Sequence, residues 1–118
     1  MPIRIPASRQ VLANAYAGLG TYLAACTGDP GTTTTVANET SGTGGSGAYA
    51  RLATSWSAGS GGVQNGSQVI LSVPAATFTF GALCSAATGA AQVDNASITS
   101  TAFTSPGQLV MTPTYTQT

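Results

Sequence analysis

The feature that most narrows the folds open to this chain is the way its hydrophobic residues are punctuated. From Leu19 onward they come in short runs, several alternating with Thr or Ser, and Gly, Pro or Asn clusters interrupt them at roughly 8–12-residue spacing. Val69-Ile70-Leu71-Ser72-Val73 reads as a strand stopped by Pro74. Thr77 to Ser85 alternates, with Phe78, Phe80, Ala82 and Cys84 on one face and Thr77, Thr79, Gly81 and Leu83 on the other. Leu19 to Thr27 reads as a strand ended by Gly28-Asp29-Pro30-Gly31, and Ala48 to Trp56 as another, with Tyr49 and Arg51 sharing a face. Ala91 to Asn95, Ile98 to Thr104 and Gln108 to Tyr115 complete the set, while 32–47 and 57–67 are predicted as surface connections. Only the N-terminal region has helical spacing: Val11, Leu12, Ala15, Tyr16 and Leu19 recur at that period, Ser8 is the expected N-cap, and Gly18 and Gly20 the stop. The expectation is a mainly β protein: an antiparallel β-sandwich or jelly-roll-like barrel of about seven short strands with one N-terminal helix. Its 118 residues suit a single domain, with an extended arm over 1–6 and the helix over 7–18.

The chain is nearly without charge. It has three arginines, three acids, no lysine and no histidine, 5% charged residues against about 25% in an ordinary domain. Thr and Ser supply 31 of the 118 residues and so most of its polarity. The 42% apolar content separates it from charge-poor disordered chains. Zero formal net charge gives no electrostatic footprint for nucleic acid or an anionic membrane. Without histidine the commonest general base, zinc ligand and triad member is missing, so no catalytic, metal or cofactor residues are expected. A weakly charged surface also favours association, and the chain reads as one that packs against other proteins.

Individual motifs mostly reduce to composition. Leu23-Ala24-Ala25-Cys26 matches a lipobox, but Asn14, Gly18, Gly20 and Thr21 spoil the apolar run it requires. No stretch approaches the roughly 20 apolar residues of a membrane span. A glycosidase needs two carboxylates and the chain has Asp29, Glu39 and Asp94 to offer, yet Asp29 reads as a turn residue and Asp94-Asn95 as a loop or bulge. The glycine-rich 42–47 segment lacks the lysine of a phosphate loop, and Asn38, Asn65 and Asn95 head acceptor triplets that so much Ser and Thr produces by composition. Cys26 and Cys84 read either as buried thiols or as a disulfide. Arg51 lies between apolar residues, where a lone cation calls for a partner, and Glu39 is the expected one, folding the long connection back onto the sheet.

Leu19-Gly20-Thr21-Tyr22-Leu23 with Thr27-Gly28-Asp29-Pro30-Gly31, then Ala37-Asn38-Glu39, Gly47-Ala48-Tyr49-Ala50-Arg51 and Trp56, resembles a family of small virion proteins of tailed bacteriophages, especially phages of actinobacteria. The family pattern runs roughly L-x-L-H-T-x-D-P-G, A-N-E-x-x-G, Y-A-R, W. Val73-Pro74 and Ala86-Ala87-Thr88-Gly89 extend the resemblance over Leu19 to Gly89. The family's Leu-His-Thr stands here as Ala25-Cys26-Thr27, so any role of that histidine is absent. Members are labelled tail-fibre or minor tail proteins, and similar small β proteins are capsid decoration proteins. The resemblance therefore implies a virion structural protein rather than an enzyme. The lead expectation is a capsid decoration protein on the outer capsid surface, made in the host cytoplasm, with the major capsid protein as partner and a homo-oligomer, such as a trimer, as its form. The alternative is a minor tail or fibre-like protein that binds a receptor or carbohydrate, for which Tyr49, Trp56 and Tyr115 are the available aromatic platform. The apolar, proline-punctuated arm suits lying across a neighbouring capsid subunit and adding main-chain bonds to an exposed sheet edge, which makes Ile3, Arg4, Ile5, Arg9 and Tyr115 the candidate interface residues.

Overall fold

Tyr22–Cys26 (β1) organises the fold, because it is the strand buried on both faces. In the computed structural model, which describes residues 2–118, β1 pairs antiparallel along its length with Thr77–Cys84 (β8) and at its start with Leu52–Ala53 (β4). Gln92–Ala102 (β9) adds an edge, giving the order β4-β1-β8-β9. Leu23 and Ala25 enter the main core with Val69, Leu71, Val73, Phe78, Leu83 and Leu109. A second sheet, Val69–Val73 (β7) paired with Gly107–Met111 (β10), supplies three of those side chains from β7 and one from β10. Two antiparallel sheets thus enclose an apolar layer, and the chain is mainly β and sandwich-like, as its punctuation predicts. On the reverse face Ala24 and Cys26 join Ala82 and Cys84 in a smaller cluster, against which Val36 packs from the 27–40 connection. Small side chains there let that connection lie close.

The remaining elements are short. Thr43–Gly44 (β2) and Gly47–Ala48 (β3) form a hairpin beside β7, and Trp56–Ala58 (β5), Val63–Gly66 (β6) and Thr114–Thr116 (β11) form a sheet in the order β11-β6-β5. The helix Pro6–Ala17 (α1) packs on this last sheet. The molecule is elongated, 47 × 25 × 23 Å.

Several expectations need correction. The helix begins at Pro6, not residue 7, with Ile5 at the N-cap position and no side-chain cap; Ser8 lies inside it and is exposed. Proline suits that start, since it has no N–H to leave unsatisfied. The arm is accordingly shorter than 1–6, and Met1 lies outside the described residues. The expected 57–67 connection contains β5 and β6, joined by the Gly59-Ser60-Gly61-Gly62 turn in which Gly61 and Gly62 have φ of 72° and 110°. The expected strand over 48–56 is split among β3, β4 and β5. Gln92–Ala102 is one strand where two were expected over 91–104, and Gln108 to Tyr115 divides into β10 and β11 around Pro113. Phe78 and Phe80 do not share a face: the β8–β9 register breaks between them, sending Phe78 to the main core and Phe80 to the reverse cluster.

Candidate functional site

Arg51, on the segment between β3 and β4, is buried and meets Glu39 from the long connection. Its Nε donates to Glu39 Oε2 at 2.8 Å and its Nη2 to Oε1 at 2.9 Å, a two-point fork. The arginine and glutamate side chains are only 5% and 20% exposed. Tyr49 adds its hydroxyl to Oε2 at 2.8 Å and accepts the Ala25 N–H of β1 at 3.0 Å. The remaining guanidinium capacity goes to the carbonyls of Ala86 and Gly89, at 3.2 and 2.9 Å, in the β8–β9 turn. Burial pushes the Glu39 carboxyl up, but the bonds from Arg51 and Tyr49 together outweigh it and hold it below the ordinary glutamate range. Tyr49 is pushed well above a free phenol, by burial first and by the carboxylate beside it. This cluster ties the long connection, β1 and the β8–β9 turn into one unit; its groups are paired with each other and none is free to act on a substrate.

The other sequence candidates are also occupied. Asp29 accepts the Gly31 N–H of its own turn at 2.8 Å. Asp94 accepts the Tyr16 hydroxyl at 2.7 Å. The three acids are thus dispersed, and among the described residues no three His, Cys, Asp or Glu side chains gather as a metal site. Cys26 and Cys84 are buried, free thiols. Cys26 lies opposite Phe80 and Cys84 opposite Tyr22, so the register separates them by four residues, about 14 Å, along paired strands. A disulfide needs their Cα atoms within about 7 Å. Burial pushes the Cys26 thiol up to about 12. Among the described residues no helix is long and apolar enough to cross a membrane.

The interface candidates divide. Arg4 and Ile5 are exposed and Ile3 half-buried, whereas Arg9 is committed internally, donating to Gly61 O at 2.9 Å and Ile3 O at 2.6 Å. Tyr115 is half-buried, its ring stacked on Tyr16 at 3.6 Å and its hydroxyl donated to Gln117. Trp56 packs against the main core and donates its indole N–H to Gly20 O at 2.9 Å. With Tyr49 in the ion-pair cluster, the three rings do not form one flat platform. Trp56 and Tyr115 instead line a cleft of about 630 Å3, walled by β9 on one side and by β10 and β11 on the other, with Tyr16 and Asp94 at its rim.

The helix surface is what sequence reasoning missed. Arg9, Gln10, Ala13 and Tyr16 face the protein, while Ile5, Val11, Leu12 and Leu19 are exposed at 61, 66, 45 and 52%. Polar side chains dock α1: Gln10 Oε1 accepts the Gly62 and Val63 N–H groups, its amide donates to Val63 O, and Asn14 accepts from Gln64 at 2.6 Å. The helix is inside-out. The one available signal was the amide pair Gln10 and Asn14, four residues apart, facing a glycine turn rich in unpaired backbone groups. No family model, curated protein or solved structure matches the chain.

Proposed function

We propose that this chain is a structural subunit of a tailed-bacteriophage virion, a decoration protein that coats and reinforces the assembled capsid shell. The observation that carries the reading is the outward apolar face of α1: a monomer gains nothing by burying amides and exposing Val11 and Leu12, with Leu19 exposed just beyond the helix. Ile70 and Val110, paired across β7 and β10 and both exposed, add a second such patch on another side. Modest apolar patches without charge suit binding in many copies to a repeating surface, where lattice geometry supplies the effective concentration. The sequence resemblance to small virion proteins points the same way. A receptor- or carbohydrate-binding tail role draws less support, since each ring it would use is engaged within the chain.

The test is to separate tail-less capsids from complete particles of the phage that encodes the chain and count its copies by quantitative mass spectrometry. Hundreds of copies on tail-less capsids are expected. A handful of copies, found only with tails, overturns the assignment.

A further inference from the structure

Three strand edges without partners converge on the cleft. β9 pairs only with β8, β10 only with β7, and β11 only with β6. The cleft walls are Asp94 to Thr99 with Thr101, and Leu109 to Thr116, edges that pair with no further strand among the described residues, although Asp94 Oδ1 holds the Asn95 N–H and Pro113 O the Gly66 N–H. Natural edges carry lysine or proline that repels another strand; β9 has neither, and its one charge is Asp94. The floor includes Leu23, Leu83 and Leu109, each 5–6% exposed, whereas Leu71, Val73 and Phe78, away from the cleft, are at 0%. The main core is therefore open to solvent at this seam.

We propose that the seam takes the extended arm Pro2-Ile3-Arg4-Ile5 of a second copy of this chain, added as a strand beside β9. The arm offers what the seam lacks. Ile3 and Ile5 alternate with Arg4, so one face of the strand is apolar and the other cationic. Among the described residues the N–H groups of Ile3, Arg4 and Ile5 find no acceptor. Among the described residues Arg4 and Asp94 make no ion pair, Asp94 accepting only the Tyr16 hydroxyl and the Asn95 N–H, so the two can serve as a complementary pair between copies. The regular part of β9 is Asp94 to Ser97, opposite Leu83 to Phe80. The donor is a neighbour because the chain's own arm is held at the far end of α1, where Arg9 binds both Ile3 O and Gly61 O; eleven residues of helix set Ile5 about 16 Å from Tyr16 at the cleft. The exchange breaks the bond from Arg9 to Ile3 O and replaces it with strand pairing.

Sedimentation of the full chain, a chain lacking residues 2–5, and the variants Asp94→Arg and Arg4→Asp/Asp94→Arg tests this. The full chain should associate at high micromolar concentration. Deletion should leave a folded monomer, because α1 starts at Pro6. Asp94→Arg should raise the dissociation constant at least about tenfold, and the double reversal should restore it. As a check independent of variant folding, a peptide of residues 2–6 titrated into the isotope-labelled deletion chain should shift amide resonances of 94–101 and 109–116. A monomeric full chain, unchanged association after deletion, a double reversal without recovery, or a peptide that leaves those resonances in place each overturns the proposal. Arm exchange does not require a capsid, so a chain that swaps arms yet is absent from shells refutes only the decoration reading.

Discussion

At the residue scale the ion-pair cluster decides most. Arg51→Ala removes one partner and leaves the Glu39 carboxylate largely buried against Tyr49, which costs about 3 kcal/mol, the low end for such breaks because Glu39 keeps some solvent. Urea unfolding of the variant measures this as a lower midpoint at unchanged slope. Arg51→Lys should recover only part of the loss, since an ammonium cannot fork two carboxylate oxygens while reaching Ala86 and Gly89. The pairing of Glu39 with Arg51 was legible in the sequence because so few charges compete for each other. Tyr49 and the two carbonyls were not, because only the folded β8–β9 turn brings them within reach. The thiols give a second outcome at this scale. With Cys26 raised to about 12 by burial, its labelling by a thiol reagent at pH 8 should follow the rate of global unfolding rather than thiol chemistry. Fast labelling of the native protein contradicts it.

At the element scale the helix separates stability from association. Gln10→Ala leaves the Gly62 and Val63 N–H groups without their acceptor at a part-buried joint, while Val63 O keeps the Gly59 N–H, and should lower stability by about 2 kcal/mol. Leu12→Lys alters an exposed position and should change stability by less than about 0.5 kcal/mol, yet abolish binding to shells. Thermal melts and capsid co-sedimentation of the two variants should therefore give opposite rankings. The position of this helix was readable from its spacing, but its orientation was not: apolar periodicity assumes that the apolar side is covered by the same chain. Strands were legible where one residue pattern persists for five residues, as in Val69–Val73 before Pro74. They were illegible where two or three residues suffice, as in β4 and β5, or where a register break reverses the pleat, as between Phe78 and Phe80. Gly20 shows a related limit. A Cβ there would lie 2.5 Å from the Cys84 carbonyl, so this glycine is required by close passage of the chain over the end of β8 rather than by helix termination, which falls at Ala17.

For the whole molecule, scarcity of charge predicts an unusual dependence on pH. Stability falls with pH wherever the native state binds more protons than the unfolded state, and rises where it binds fewer. Glu39 is held below its unfolded value, so its contribution is complete above the ordinary glutamate range, about 4, and is lost as pH falls through the lower native value. Tyr16, Tyr49, Cys26 and Cys84 are all raised, burial being the first cause in each case. In the unfolded chain they ionise from about pH 8.5 for thiols and 10 for phenols, while the native chain keeps them neutral, so stability declines from there upward. No histidine side chain titrates between these limbs, because the chain has none. Denaturation midpoints should therefore be flat from about pH 5 to about pH 8 and fall on both sides. Tyr49→Phe removes a phenol and a bond to Glu39 together, and so should make the alkaline fall shallower and the acid fall begin with less stability in hand. An inflection near pH 6.5, or stability that rises above pH 9, contradicts these assignments. The same flatness keeps net charge near zero across that range, so no net-charge repulsion opposes contact between copies within it.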